Sequence, residues 1–263
     1  MNFLYITLLV IIILLLIGFV FKIIKSVIKV VIFLAIIINI LILVLGSMVY
    51  FDTKDFQNNF LGQSKKFLLV QDDRLAAGFS TTDFSDVNYY EEDNLKLYSQ
   101  LINERNFEQL RGNDYKVFIM DMVSFEGALE SNVSITDVGI ILNRTEMNLL
   151  LGSENTRETL SMILYDGLAP EIKNDVSFTA FNQSMTEKLS TDANLRGILF
   201  TALFSRSLKD NYLSFLISGI RSKTITVYPE TLMFSTIKYI PDFFITAALT
   251  NTVNNTAQEH GNA

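Results

Sequence analysis

The chain has no cysteine, a single histidine, and no acidic side chain in its first fifty residues. Lack of cysteine excludes disulfides, thiolate metal sites and cysteine nucleophiles together. The one histidine, His260, sits in a polar C-terminal stretch. Histidine-rich zinc sites and Ser-His relays are thereby excluded. Nothing in the sequence implies a cofactor. Residues 51–263 carry all 28 acidic side chains of the chain and a net charge of −10. Nucleic-acid binding needs concentrated lysine and arginine, so an acidic region of this kind argues against a nucleic-acid partner.

What the first fifty residues do contain is oil. Residues 2–21 are Leu, Ile, Val and Phe interrupted only by Asn2, Thr7 and Gly18, together with Tyr5. Residues 30–51 form a second run with Asn39 and Ser47 inside it. Each is about 20 residues, which at ~1.5 Å per residue matches a ~30 Å hydrocarbon core. Residues 22–29 between them hold Lys22, Lys25 and Lys29. Ammonium groups are costly at the bilayer centre and belong at a surface. Two topologies satisfy this: a helical hairpin that turns at 22–29, or a single span over residues 30–51. Both place the lysines on the cytoplasmic side by the positive-inside rule and residue 52 onward on the non-cytoplasmic side. Asn39 lies mid-span, where an amide seeks a hydrogen bond to another helix or a neighbouring subunit. The lipid bilayer is therefore the first expected partner.

Residues 52–249 read as an α+β domain with a small sheet, and residues 250–263 as a disordered polar tail. A short helix is expected over 52–60. Two apolar runs, 66–71 and 74–79, flank Asp72-Asp73 as a β-hairpin. Residues 83–93 read as an acidic loop, and 94–110 as one helix stopped by Gly112, with Leu97, Tyr98, Leu101 and Ile102 on its buried face. Residues 115–120 form a strand apolar enough to be buried on both faces. Capping boxes are expected at 155–158 and 184–187. After the second, Leu195, Ile198, Leu199, Ala202 and Leu203 repeat as a buried helix face. Residues 223–228 alternate as a strand, 230–240 are helical, and a last helix through about residue 249 carries Phe243, Phe244, Ala247 and Ala248.

The chemistry on offer is carboxylate chemistry. Asp72-Asp73 and Glu91-Glu92-Asp93 are acidic clusters that suit a solvated turn and loop, Ca²⁺ ligation or paired-carboxylate hydrolysis. Asp121 follows a buried strand and Glu126 lies five residues on, the placement that open α/β sheets use for sites and also where any strand meets water. A Ser-Lys dyad would draw on Ser161, Ser205 or Ser207 with Lys209.

The lysines ahead of a span ending in Gly46-Ser47-Met48-Val49-Tyr50-Phe51-Asp52, the hairpin over 66–79, and Ile225-Thr226-Val227-Tyr228-Pro229-Glu230 followed by a helix together resemble membrane-anchored proteins of small-genome archaea that have no assigned function. That resemblance implies an anchored domain and carries no site residues. The composite expectation is a membrane-tethered extracytoplasmic domain for interaction or assembly, with a protein partner or a second copy of itself. The alternatives are a carboxylate-dependent hydrolase of envelope polymers and an accessory subunit of a channel or transporter.

Overall fold

The computed structural model describes residues 3–60, 62–135, 139–208, 212–237 and 239. The side chain of Lys25, the expected last helix with Phe243, Phe244, Ala247 and Ala248, the polar tail, His260 and Lys209 lie outside the described residues. The chain divides into two units, Met1–Phe51 and Asp52–Ala263.

One helix, α1, runs from Phe3 to Asn59 without interruption. The turn expected at residues 22–29 does not occur, so the hairpin is corrected to a continuous helix. The reason is local: no glycine or proline in that segment breaks the hydrogen-bond ladder. Lys22 and Lys29, at i and i+7, fall on one face of the helix. Residues Val27–Asn59 are long and apolar enough to cross a membrane, with a mean hydropathy of 3.2 in the most apolar window. Asn39 does not reach a second helix among the described residues. Its Nδ2 donates 2.8 Å to the Ala35 carbonyl of its own helix.

In the second unit, a five-stranded sheet has the order β3-β2-β1-β4-β7, built from β1 (Lys65–Gln71), β2 (Arg74–Thr81), β3 (Val87–Tyr89), β4 (Lys116–Asp121) and β7 (Ile225–Tyr228). The β1–β2 hairpin closes through Asp72 and Asp73, both at positive φ (50° and 59°), as a two-residue turn between right-twisted strands requires. β1 and β4 are parallel neighbours, and the other pairings are antiparallel. A separate ribbon joins β5 (Val133–Ile135) to β6 (Ile140–Leu142). Within the expected loop at 83–93 the structure adds strand β3, whose three residues are too few to register as a period.

Helices cover both faces of the sheet, which is why β4 reads as continuously apolar. On one face α2 (Glu92–Asn103) and α3 (Phe107–Arg111) enclose Leu68, Leu75, Val117 and Leu110. These are two helices where one was expected. The chain breaks at Arg105, at φ 56°, and Leu97 is exposed while Leu95 and Leu101 are buried. On the other face α8 (Asp192–Leu208), α9 (Tyr212–Arg221) and α10 (Leu232–Ile237) pack over Phe67, Phe79, Phe118 and Met120. The rest of the helical layer comprises α4 (Arg144–Gly152), α5 (Thr156–Asp166), α6 (Pro170–Asp175) and α7 (Phe178–Lys188). Asn155 opens α5 without a side-chain cap, and residues 184–187 lie inside α7, whose cap is Ser177. Among the described residues a capping box forms at Asn143 and Glu146, opening α4.

The first residues of β1 and β4 bury two lysines opposite each other in register, Lys65 and Lys116. The Lys65 ammonium donates to the Thr82 carbonyl and lies 5.0 Å from the rings of Phe60 and Phe84. Lys116 donates 3.1 Å to the Pro229 carbonyl and lies over Tyr115 and Phe234. Here the end of α1 joins the core. Phe56 and Phe60 are buried, and Asp55 accepts 2.6 Å from the Tyr115 hydroxyl. Burial lowers both ammonium pKa values from 10.5 to about 8, against the pull of Asp83 on Lys65 and of Asp55 and Asp52 on Lys116.

This arrangement makes stability depend on alkaline pH with a definite sign. Between about 8 and 10.5 the unfolded chain holds protons on Lys65 and Lys116 that the folded chain has lost, so stability rises with pH, by at most about 3 kcal/mol per lysine. Tyr90 and Tyr115 act the other way. Burial raises their pKa above 10, so the unfolded chain ionises first and stability falls beyond about pH 10. Thermal melts from pH 7 to 11 should show a maximum near pH 10. In the double variant Lys65→Met/Lys116→Met the rise below pH 10 should vanish, and a wild-type profile that is flat there would contradict the burial of the two ammonium groups.

Candidate functional site

β1 and β4 run parallel, so their carboxyl ends, Gln71 and Asp121, emerge at the same edge of the sheet, with Val70 paired to Asp121. A cleft of about 470 Å³ opens there. Its wall is formed by Gln71, the Asp72-Asp73 turn, Asp121, Met122, Val123, Glu126 and Leu129, and Arg144 and Asn148 of α4. Two acidic features that are about fifty positions apart in the chain, Asp72-Asp73 and Asp121 with Glu126, thus face one space.

Asp121, Glu126, Arg144 and Gln71 of this wall are held by definite contacts. Asp121 Oδ1 accepts 2.8 Å from the Val123 amide, capping the short 3-10 turn Met122–Phe125. Glu126 pairs with Arg144 at 3.4 Å, with both side chains more than half exposed. Arg144 opens α4, where the Asn143–Glu146 capping box fixes the helix start. Gln71 Nε2 donates 3.2 Å to the Asn148 carbonyl, while among the described residues the buried Gln71 Oε1 has no hydrogen-bond partner. Asp72, Asp73, Asp121 and Glu126 are exposed. The cleft is therefore a solvated, mostly anionic surface with one guanidinium on its rim. Among the described residues, no group of three or more His, Asp or Glu side chains is arranged to hold a metal ion.

The other residues singled out from sequence do structural work elsewhere. Glu91 accepts from Thr191 Oγ1 at 2.9 Å and Asn194 Nδ2 at 3.0 Å, joining the start of α2 to the start of α8. Glu92 meets Arg196 at 2.6 Å. These carboxylates are contacts between helices, not members of a free solvated loop. Ser161 and Ser207 donate to carbonyls of their own helices, at 2.8 and 3.0 Å, and Ser205 is exposed.

Sequence reasoning missed Arg144, Gln71 and Asn148 as wall residues, and Arg196, Lys65 and Lys116 as buried charges. A signal existed for Arg196, which is three and four residues ahead of Leu199 and Phe200 and so shares the apolar face of α8. No local signal marked Arg144. No protein-family model, curated protein or solved structure matches the chain.

Proposed function

We propose that this chain is a membrane-tethered interaction domain whose acidic cleft receives a cationic segment of a partner protein on the non-cytoplasmic side. The observation that carries the reading is the convergence of Asp72, Asp73, Asp121 and Glu126 on one cleft at the carboxyl edge of the parallel pair. The net charge of −10 over residues 51–263 favours the same sign of partner. The anchor in this reading is a single span within α1 ending near Phe51, oriented by Lys22, Lys25 and Lys29 toward the cytoplasm. Complementary rim charges chiefly set encounter rate and salt dependence. A membrane-impermeant Lys/Arg-rich peptide added to sealed cells should bind, more weakly at high salt. The variant Asp72→Asn/Asp73→Asn/Asp121→Asn should bind it roughly tenfold more weakly, at ~0.5 kcal/mol per exposed charge. Binding only after permeabilisation would reverse the orientation, and binding unchanged in the variant would remove the cleft from the reading.

A second reading draws on the same cleft. Asp121 and Glu126 open onto one space, as a pair of hydrolytic carboxylates would. A general acid needs a carboxyl group sheltered from water. Both of these are exposed and already hydrogen-bonded or ion-paired, which favours binding over hydrolysis.

A further inference from the structure

We infer that α1 pairs in parallel with a second copy of itself, through a seam centred on Asn39. The inference rests on the membrane-spanning reading above, and Asn39 carries it. An amide side chain offers two donors and an acceptor. Asn39 uses one donor, to the Ala35 carbonyl at 2.8 Å, and among the described residues its Oδ1 accepts nothing. In hydrocarbon no water completes the set, so a helix that supplies both a donor and an acceptor at that depth is favoured.

The seam says which helix that is. Ile28, Ile32, Ala35, Asn39, Ile42 and Gly46 recur at alternating spacings of four and three, the heptad pattern of a helix-pairing face. Between residues 30 and 46 every other side chain is Val, Ile, Leu or Phe. Of the small or polar residues between 30 and 47, Ala35, Asn39 and Gly46 lie on this one face, while Ser47 lies off it and donates 2.8 Å to the Val44 carbonyl of its own helix. Among the described residues nothing covers it, and a Cβ added at Gly46 would meet nothing within 4 Å. Small side chains on either side of Asn39 let two backbones approach closely enough for the amides to meet. All copies enter the membrane with the same orientation, so a second copy presents its own Asn39 at the same depth. The amide is self-complementary, with Oδ1 of each accepting from Nδ2 of the other.

The absence of cysteine makes the test free of background. The full chain, in its own membranes, is given single cysteines on the seam (Ala35→Cys, Ile42→Cys, Gly46→Cys) or on the opposite face (Ile37→Cys, Leu41→Cys, Val44→Cys) and oxidised. Disulfide-linked dimer should form on the seam at roughly fivefold the yield of the opposite face. Adding Asn39→Leu to Gly46→Cys should cut the yield several-fold, while Asn39→Gln should retain it. Equal yields on both faces, or none on either, in a chain that resists alkaline carbonate extraction would overturn the pairing and leave the membrane reading intact. A chain released by carbonate would overturn both. Retention of every variant in the membrane fraction separates loss of pairing from loss of insertion.

Discussion

Arg196→Met should cost about 3–5 kcal/mol of folding stability, a large share of the ~5–15 kcal/mol that holds an ordinary domain folded. Arg196 is almost fully buried in α8 and is the common partner of three elements. Its Nε donates 2.7 Å to the Ala76 carbonyl of β2. Its Nη1 reaches the Ser153 carbonyl and Thr156 Oγ1, each at 3.2 Å, where α4 gives way to α5. Its Nη2 pairs with Glu92 of α2 at 2.6 Å. Methionine conserves most of the volume but supplies no donor, so the Ala76 carbonyl is left in an apolar interior at ~1–3 kcal/mol for an unsatisfied buried group. Arg196→Lys should rescue little, because one ammonium cannot replace a planar fork that serves three directions at once. Glu92→Gln should cost much less, since position 92 is half exposed and the glutamine oxygen can still accept from Arg196 Nη2. Urea unfolding followed by circular dichroism checks the series. A loss below ~1 kcal/mol for Arg196→Met would show that the guanidinium is not the staple it forms here.

Phe67→Ala should be as damaging, at about 3–5 kcal/mol. Phe67 is fully buried on β1, and its cross-strand neighbours in register are Phe79 on β2 and Phe118 on β4. Ring centroids lie 5.0 Å away on both sides, in stacked geometry, and Phe204 of α8 closes the top at 4.7 Å. Truncation removes the centre of four aromatic contacts and leaves a cavity that three strands and a helix cannot collapse around without losing register. Phe67→Leu should lose about half as much, because it keeps most of the buried apolar area. Phe84→Ala should also lose less. That ring is only half-buried at the edge of the cluster, 5.8 Å from Phe67. If Phe67→Ala and Phe84→Ala cost the same, the core would not be centred on β1.

Some elements were legible because their causes are local. Asp72-Asp73 between two apolar runs is sufficient for a tight hairpin turn, since aspartate tolerates positive φ and supplies its own hydrogen bonds. The apolar period of α8 is a property of the helix alone, and Leu195, Leu199 and Leu203 are buried as it requires. Other readings failed where two local signals competed. Glu158 follows Asn155 at the spacing of a capping box, yet Asn155 makes no side-chain cap, while Asn143 and Glu146 complete one. Residues 94–110 carry a helical pattern throughout, but the chain turns at Arg105. There the Glu104, Arg105 and Asn106 amides bond back to the last turn of α2 and α3 starts afresh. The hairpin expected at residues 22–29 failed for want of any residue that stops a helix.

By itself, the sequence determined the apolar helix at the start, the acidic character of the rest, the β1–β2 hairpin and the exclusion of thiol and histidine chemistry. Each follows from residue type or from spacings shorter than a helical turn or a hairpin. Only the tertiary structure decided that Asp72, Asp73, Asp121 and Glu126 share a cleft, and that Lys65, Lys116 and Arg196 are inside. The shared cleft and the two facing lysines depend on β1 lying parallel to β4 across more than forty intervening residues, and the burial of Arg196 depends on α8 packing against β2, α2 and the α4–α5 junction. Parallel pairing carries no turn signal in the chain, because the connection crosses the sheet and the strands meet only when their shared faces are buried.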